Sequence, residues 1–306
     1  MTIPTAQITQ KEVGTPLQTY RYLRMILVLP ATFLLLATIF EAWSRDWQFR
    51  DSISDSYQGP VRDVFVGALM ASGVCMIAYK GRSKLEDYAL NFAGFNAFFV
   101  ALVPNNFTDV LNQAKSTSVT VGEIASRDQV LTNLKFVLTA FLITTALFTY
   151  FDYKVMNWRG LKWGKDETKF AGALAVVSWV TEIIFLVIVG NVLFGRETLF
   201  GGTIFGILHF TAAGLMIGNL SFAAASHAFP ATLRNPQQNA DWEPTSSRAL
   251  GGYRFVVLAM WAGIVIGGIC IWRHVPYAVI VTEYVEIGLF VVYWLLATRR
   301  DWKKPL

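Results

Sequence analysis

"SISDSYQGPVRDVFVGALMASGVCMIAYKG", residues 52–81, changes character halfway through. It begins as a hydroxyl-rich, charged loop, turns apolar at Asp63 and stays so to Lys80. The run is continuous and does not alternate with period two, so it predicts a helix and not a barrel strand. Its length, close to the ~20 residues that a hydrocarbon core requires, predicts a membrane span. Arg62 and Asp63 stand at the mouth of that span, where they either face a polar pocket or, for Asp63, cap the helix N-terminus.

The rest of the chain follows the same pattern. Of its 306 residues 54% are hydrophobic and 15% charged, where soluble domains carry about 25% charged. Mean hydropathy is +0.43. An all-α, polytopic helix bundle is the class this composition supports. The net charge of +5 does not indicate nucleic acid, because the basic residues cluster beside apolar runs, as membrane orientation requires. Cys75 and Cys270 lie within apolar runs and imply no disulfide framework. The segment 1–24 is polar and lacks signal-peptide character.

About eight runs reach spanning length: 25–44, 63–80, 86–104, 131–152, 171–194, 203–225, 253–273 and 277–298. Lys and Arg fall before the first run, after the second, fourth and sixth, and after the last. By the positive-inside rule both termini are cytoplasmic, in a plasma-membrane protein. The expected organisation is a cytoplasmic segment 1–24, a bundle 25–298 with an outer loop 105–130 and a mobile cytoplasmic loop 226–252, and a tail 299–306. Trp43, Trp47, Trp158, Trp163, Trp272 and Trp302 suit interfacial belts. Gly67 with Ala71, and Gly263 with Gly267, are spaced for close helix approach.

Ionisable residues within spans are few, and such residues mark function or a buried pair. They are Glu41, Asp63, Glu182, His209, Glu283 and Glu286. With the N-terminus inside, His209 lies six residues into its span, roughly 9 Å below the outer surface. Glu283 and Glu286, spaced i, i+3, share a helix face. Five of the six fall in the outer half, and Glu182 lies near mid-membrane. Each also has a plainer reading. Glu41 at a helix end is interfacial, His209 a structural hydrogen-bonder, and the acids neutralise each other through a shared proton or arginine. His227 and His274, at span ends, are expected to be solvated. No phosphate-binding glycine loop, HExxH or paired zinc spacing, nucleophile elbow or multi-haem histidine set occurs, so neither nucleotide nor haem is expected.

Residues 52–81, followed by "LNFAGFNAFFVALVP" (residues 90–104), resemble an uncharacterised family of bacterial multi-pass membrane proteins. The resemblance is carried by Ser52, Ile53, Ser54, Tyr57, Arg62, Asp63, Phe65, Val66, Gly67, Tyr79, Gly81, Ala93, Gly94 and Pro104. It continues, more thinly, through His209, Ala212, Ala213, Tyr253, Arg254 and Glu283 or Glu286. It implies a shared outer pocket formed by Ser52, Ser54, Tyr57, Arg62, Asp63, His209, Glu283 and Glu286, and names no reaction. A more distant similarity is to alkaline-ceramidase-like membrane hydrolases, although the paired histidines of their last helix are missing here. Those hydrolases combine a Ser, an Asp and several His around zinc in a seven-helix bundle, and the similarity implies such a role for the serines before Asp63, for Asp63 and for His209.

Three functions follow. The first is an outward pocket binding a lipid or small ligand, in a chain that contacts membrane lipids and has a partner membrane subunit or a second copy of itself. The second is a metal-dependent lipid amide or ester hydrolase using Asp63, His209 and Glu286. The third is a proton- or cation-coupled transporter with Glu182 as relay to Glu283 and Glu286.

Overall fold

The computed structural model describes residues 5–81, 83–105, 107, 127–155, 168–195, 198–199, 202–233 and 247–302. Eight long helices cover the eight apolar runs: α1 Thr5–Ser44, α2 Arg62–Ala78, α3 Lys84–Leu102, α4 Arg127–Val155, α5 Lys169–Leu193, α6 Ile204–Ala228, α7 Ser247–Trp272 and α8 Ala278–Trp302. A 3-10 segment, Ile53–Gln58, joins α1 to α2. One helical turn, Pro230–Leu233, follows α6. Thr198–Leu199 and Gly202–Thr203 form a minimal antiparallel ladder. Among the described residues, six helices are long and apolar enough to cross a membrane: α1 (over Tyr22–Ser44), α4, α5, α6, α7 and α8. The remaining two, α2 and α3, are shorter, with 17 and 19 residues. The expected loop 105–130 lies largely outside the described residues; the expected loop 226–252 is narrower, since 226–228, 230–233 and 247–252 are helical, and 234–246 lie outside the described residues.

Six helices close a ring in the order α1, α2, α3, α6, α7, α8, back to α1, each packed on the next. Outside it, α5 lies against α6 and α3, and α4 against α5 and α3. The ring is tightest where α3 meets α2 and α6, because side chains there are small. Ala89, Ala93, Ala97 and Ala101 of α3 are buried, as are Ala212, Ala223, Ala224 and Ala228 of α6. At the crossing of α2 and α3 the backbones nearly touch, and a Cβ on Gly73 would stand 2.9 Å from the Gly94 carbonyl oxygen. Gly67, expected to serve such an approach, has nothing within 4 Å of where its Cβ would be. Gly263 and Gly267 do face a neighbour, Glu286 and Thr282 of α8.

Aromatic stacking fixes the outer pair of helices. Trp179 of α5 meets Phe92 of α3 edge-on at 5.0 Å, and Phe141 of α4 stacks on Phe98 of α3 at 4.8 Å. Two buried polar links add to this: Ser178 Oγ donates to Asn219 Oδ1 at 2.9 Å, and Asn96 donates to Glu182.

The buried apolar residues form two clusters, one near each end of the ring. One contains Leu34, Phe65, Phe99 and Phe205 beside the 3-10 segment, the other Leu27, Tyr79, Tyr253 and Trp294 at the opposite end. Between them the ring is not filled.

Candidate functional site

The site is built from a cap, a cavity and a carboxyl group on the cavity wall. The cap is the 3-10 segment. Its sequence, Ser-Ile-Ser-Asp from Ser52, closes a capping box: Ser52 Oγ accepts from the Ser54 amide at 3.0 Å, and Asp55 Oδ2 accepts from the Ser52 amide at 3.1 Å. Two ring helices hold the box down. From α8, Glu283 accepts from Ser52 Oγ at 2.7 Å and from the Ile53 amide at 2.6 Å, one bond to each oxygen. From α6, His209 meets Ser54 Oγ through Nε2 at 2.9 Å and the Val103 carbonyl through Nδ1 at 2.6 Å. A carbonyl only accepts, so Nδ1 carries the proton and Nε2 of the neutral ring accepts from Ser54. One imidazole thereby joins α6, the end of α3 and the cap. The Ile280 amide of α8 also donates to the Asp51 carbonyl at 3.1 Å.

Beneath the cap lies a cavity of about 110 Å³, to which every ring helix contributes. The space is partly open, and its lining joins residues of all six ring helices with residues of the cap. Its wall is mainly apolar, including Ala31, Phe65, Met76, Met216, Met260 and Phe290, and its polar members are Ser54, Ser72, Glu283 and Glu286. Glu286 is 4% exposed, and neither carboxyl oxygen has a hydrogen-bond partner. The carboxyl lies against Gly263 of α7, where any Cβ would overlap Oε1. An unpartnered polar group in such surroundings costs about 1–3 kcal/mol, and more if charged. Structural packing alone gives no return for that cost.

The expected pocket residues therefore separate. Ser52, Ser54, His209 and Glu283 secure the cap, and Glu286 stands on the cavity wall. Tyr57 and Arg62 pair with each other, the guanidinium lying 4.8 Å above the ring, and neither lines the cavity. Asp63 does not join them: in the first turn of α2 its side chain is 97% exposed, with Arg62 3.9 Å away. The triad Asp63, His209 and Glu286 consequently does not converge, and His209 has both ring nitrogens engaged. Among the described residues no three His, Cys, Asp or Glu side chains gather to hold a metal ion. Glu182, the expected relay, is bonded to Asn96 outside the ring and does not line the cavity. Glu41, read as interfacial, is buried and ion-paired with Arg50 of the following loop.

Sequence reasoning missed the opposite end of the ring. There Glu86 and His227, each 0% exposed, lie 2.8 Å apart between α3 and α6. This corrects the expectation of a solvated His227. Its ring stacks on Tyr253 at 5.2 Å, and Tyr293 donates to Glu86 at 3.5 Å. Buried Arg24 of α1 donates to the Tyr79 hydroxyl and lies over the Tyr79 ring. Glu86 and His227 sit at span boundaries, where charge is unremarkable, so nothing in their spacing signals a pair.

No family model, curated protein or solved structure matches this chain.

Proposed function

We propose that this protein is a plasma-membrane binding protein that holds a small lipophilic molecule inside its six-helix ring, beneath the 52–58 cap. The observation that carries the reading is the cavity itself: it draws wall residues from all six ring helices and includes a buried acid with no partner. In this reading the chain has eight spans, both termini are cytoplasmic and the cap faces outward. The short helices α2 and α3 cross as well, the polar start of α3 being covered where Glu86 meets His227 of α6 and Tyr293 of α8. Reporters fused to either end should both read the cytoplasmic side.

The test is mass spectrometry of the full chain purified in nanodiscs, comparing wild type with Ala213→Phe, which fills the cavity. A small apolar molecule retained by the wild type and lost from the variant is the expected result. Equal content in both overturns the reading.

A further inference from the structure

Four polar residues line the cavity, and three differ from the fourth or offer no charge. Ser54 is taken by His209. Ser72 is a hydroxyl on α2. Glu283 has one hydrogen bond on each oxygen. Glu286 has none. Among the described residues no Lys, Arg or His lines the space. An anionic ligand, such as a fatty acid or a phosphate headgroup, would bring negative charge against a carboxyl group with no cation to offset it. A neutral alcohol would satisfy one oxygen and supply no counter-charge. An ammonium group supplies both charge and three donors.

We infer that the cavity selects a lipophilic amine, its apolar body lying among Met216, Met260 and Phe290 and its ammonium paired with Glu286. This rests on the reading that the cavity holds a ligand. The shape agrees. Along α2 the lining runs from Phe65 to Met76, which at a 1.5 Å rise per residue is about 16 Å. That is a slot for a compact or short-chain molecule. The three lining methionines adapt to varied apolar shapes. Gly263, which has no Cβ, makes the space in which the Glu286 carboxyl sits at the α7–α8 contact, and pairing with a cation in the cavity takes a rotation about the side chain's own bonds.

The experiment titrates n-hexylamine, 1-hexanol and hexanoic acid into the full chain in nanodiscs by calorimetry, with empty nanodiscs subtracted. The same titrations are run on Glu286→Gln and Ala213→Phe. The amine should bind the wild type at least about tenfold more tightly than the alcohol, the least expected of a charge-assisted bond in a desolvated site. Glu286→Gln should erase that preference, and a circular dichroism spectrum and thermal midpoint matching the wild type show that the variant is folded. Ala213→Phe should remove binding of both. Hexanol or hexanoic acid binding the wild type as tightly as hexylamine overturns the amine and leaves the cavity as a binding site. Binding of none of the three above empty nanodiscs overturns both.

Discussion

Glu283 and Glu286 stand one turn apart on α8, yet Glu283 has both oxygens hydrogen-bonded to the 3-10 cap while Glu286 has neither oxygen bonded. The difference is positional. Glu283 lies level with the Ser52 hydroxyl and the Ile53 amide, and Glu286 lies one turn deeper, past the last backbone donor of the cap. One acid holds the cap, and the other has no hydrogen-bond partner among the described residues.

The cap should loosen when its bonds to α8 are removed. Ser52→Ala deletes both the contact to Glu283 and one arm of the capping box. Loss of about 1–3 kcal/mol of local stability is expected. Hydrogen exchange of the Ile53 and Ser54 amides should accelerate by about tenfold or more, since 1.4 kcal/mol is one decade. Unchanged exchange would show that the segment is held by packing alone.

His209 should be a neutral Nδ1–H tautomer, because the Val103 carbonyl demands a donor and Ser54 supplies the other hydrogen bond. Nitrogen chemical shifts of histidine-labelled protein, assigned by loss of the signal in His209→Gln, read this directly. A protonated Nε2 with a bare Nδ1 would contradict the geometry.

The two span-end histidines should respond in opposite ways. His227→Ala strands buried Glu86, and removing one partner of such a pair costs about 3–5 kcal/mol. His274→Ala alters an exposed turn residue whose backbone sits at φ 55°, where Ala is less favoured than His, and should cost about 1 kcal/mol or less. Thermal unfolding of the two variants in the same nanodiscs compares them. Equal midpoints would mean that the Glu86–His227 pair contributes nothing.

Glycine positions on α2 give a matched test of the ring. A methyl group on Gly73 meets the Gly94 backbone, so Gly73→Ala should cost about 1–3 kcal/mol by overpacking. Gly67 faces open space, and Gly67→Ala should stabilise α2 by about 0.5–1 kcal/mol through helix propensity. The reverse order in melting temperature would place the α2–α3 contact elsewhere.

The helices were the legible part of the sequence. Long apolar runs leave little choice, and each helix covers its run to within a few residues at most ends, with the largest departures at the α1 and α7 starts. The site was legible only as a list. Ser52, Ser54, His209 and Glu283 could be grouped by depth, but depth does not say which side chain turns toward which. That depends on the rotation of α6 and α8, set by packing of small residues such as Ala212 and Gly263. Asp63 shows the limit most clearly, since an acid at the first turn of a helix reads the same whether it faces a cavity or the outside. A pocket was expected, and Ser54, Glu283 and Glu286 of its expected residues line the cavity, but its apolar wall could not be read, because that wall is a property of six helices packed together.

Chemical reactivity of Glu286 tests the central claim most directly. Diisopropylcarbodiimide, a small apolar reagent, is applied to the membrane-embedded protein, and adducts are located by peptide mass spectrometry. A buried, unpartnered acid on an apolar cavity wall, reached by an apolar reagent that enters the cavity, predicts modification of Glu286 in preference to the hydrogen-bonded Glu283, lost in Ala213→Phe. Modification of Glu283 instead, or of neither acid, would contradict a ligand-ready cavity beneath the cap.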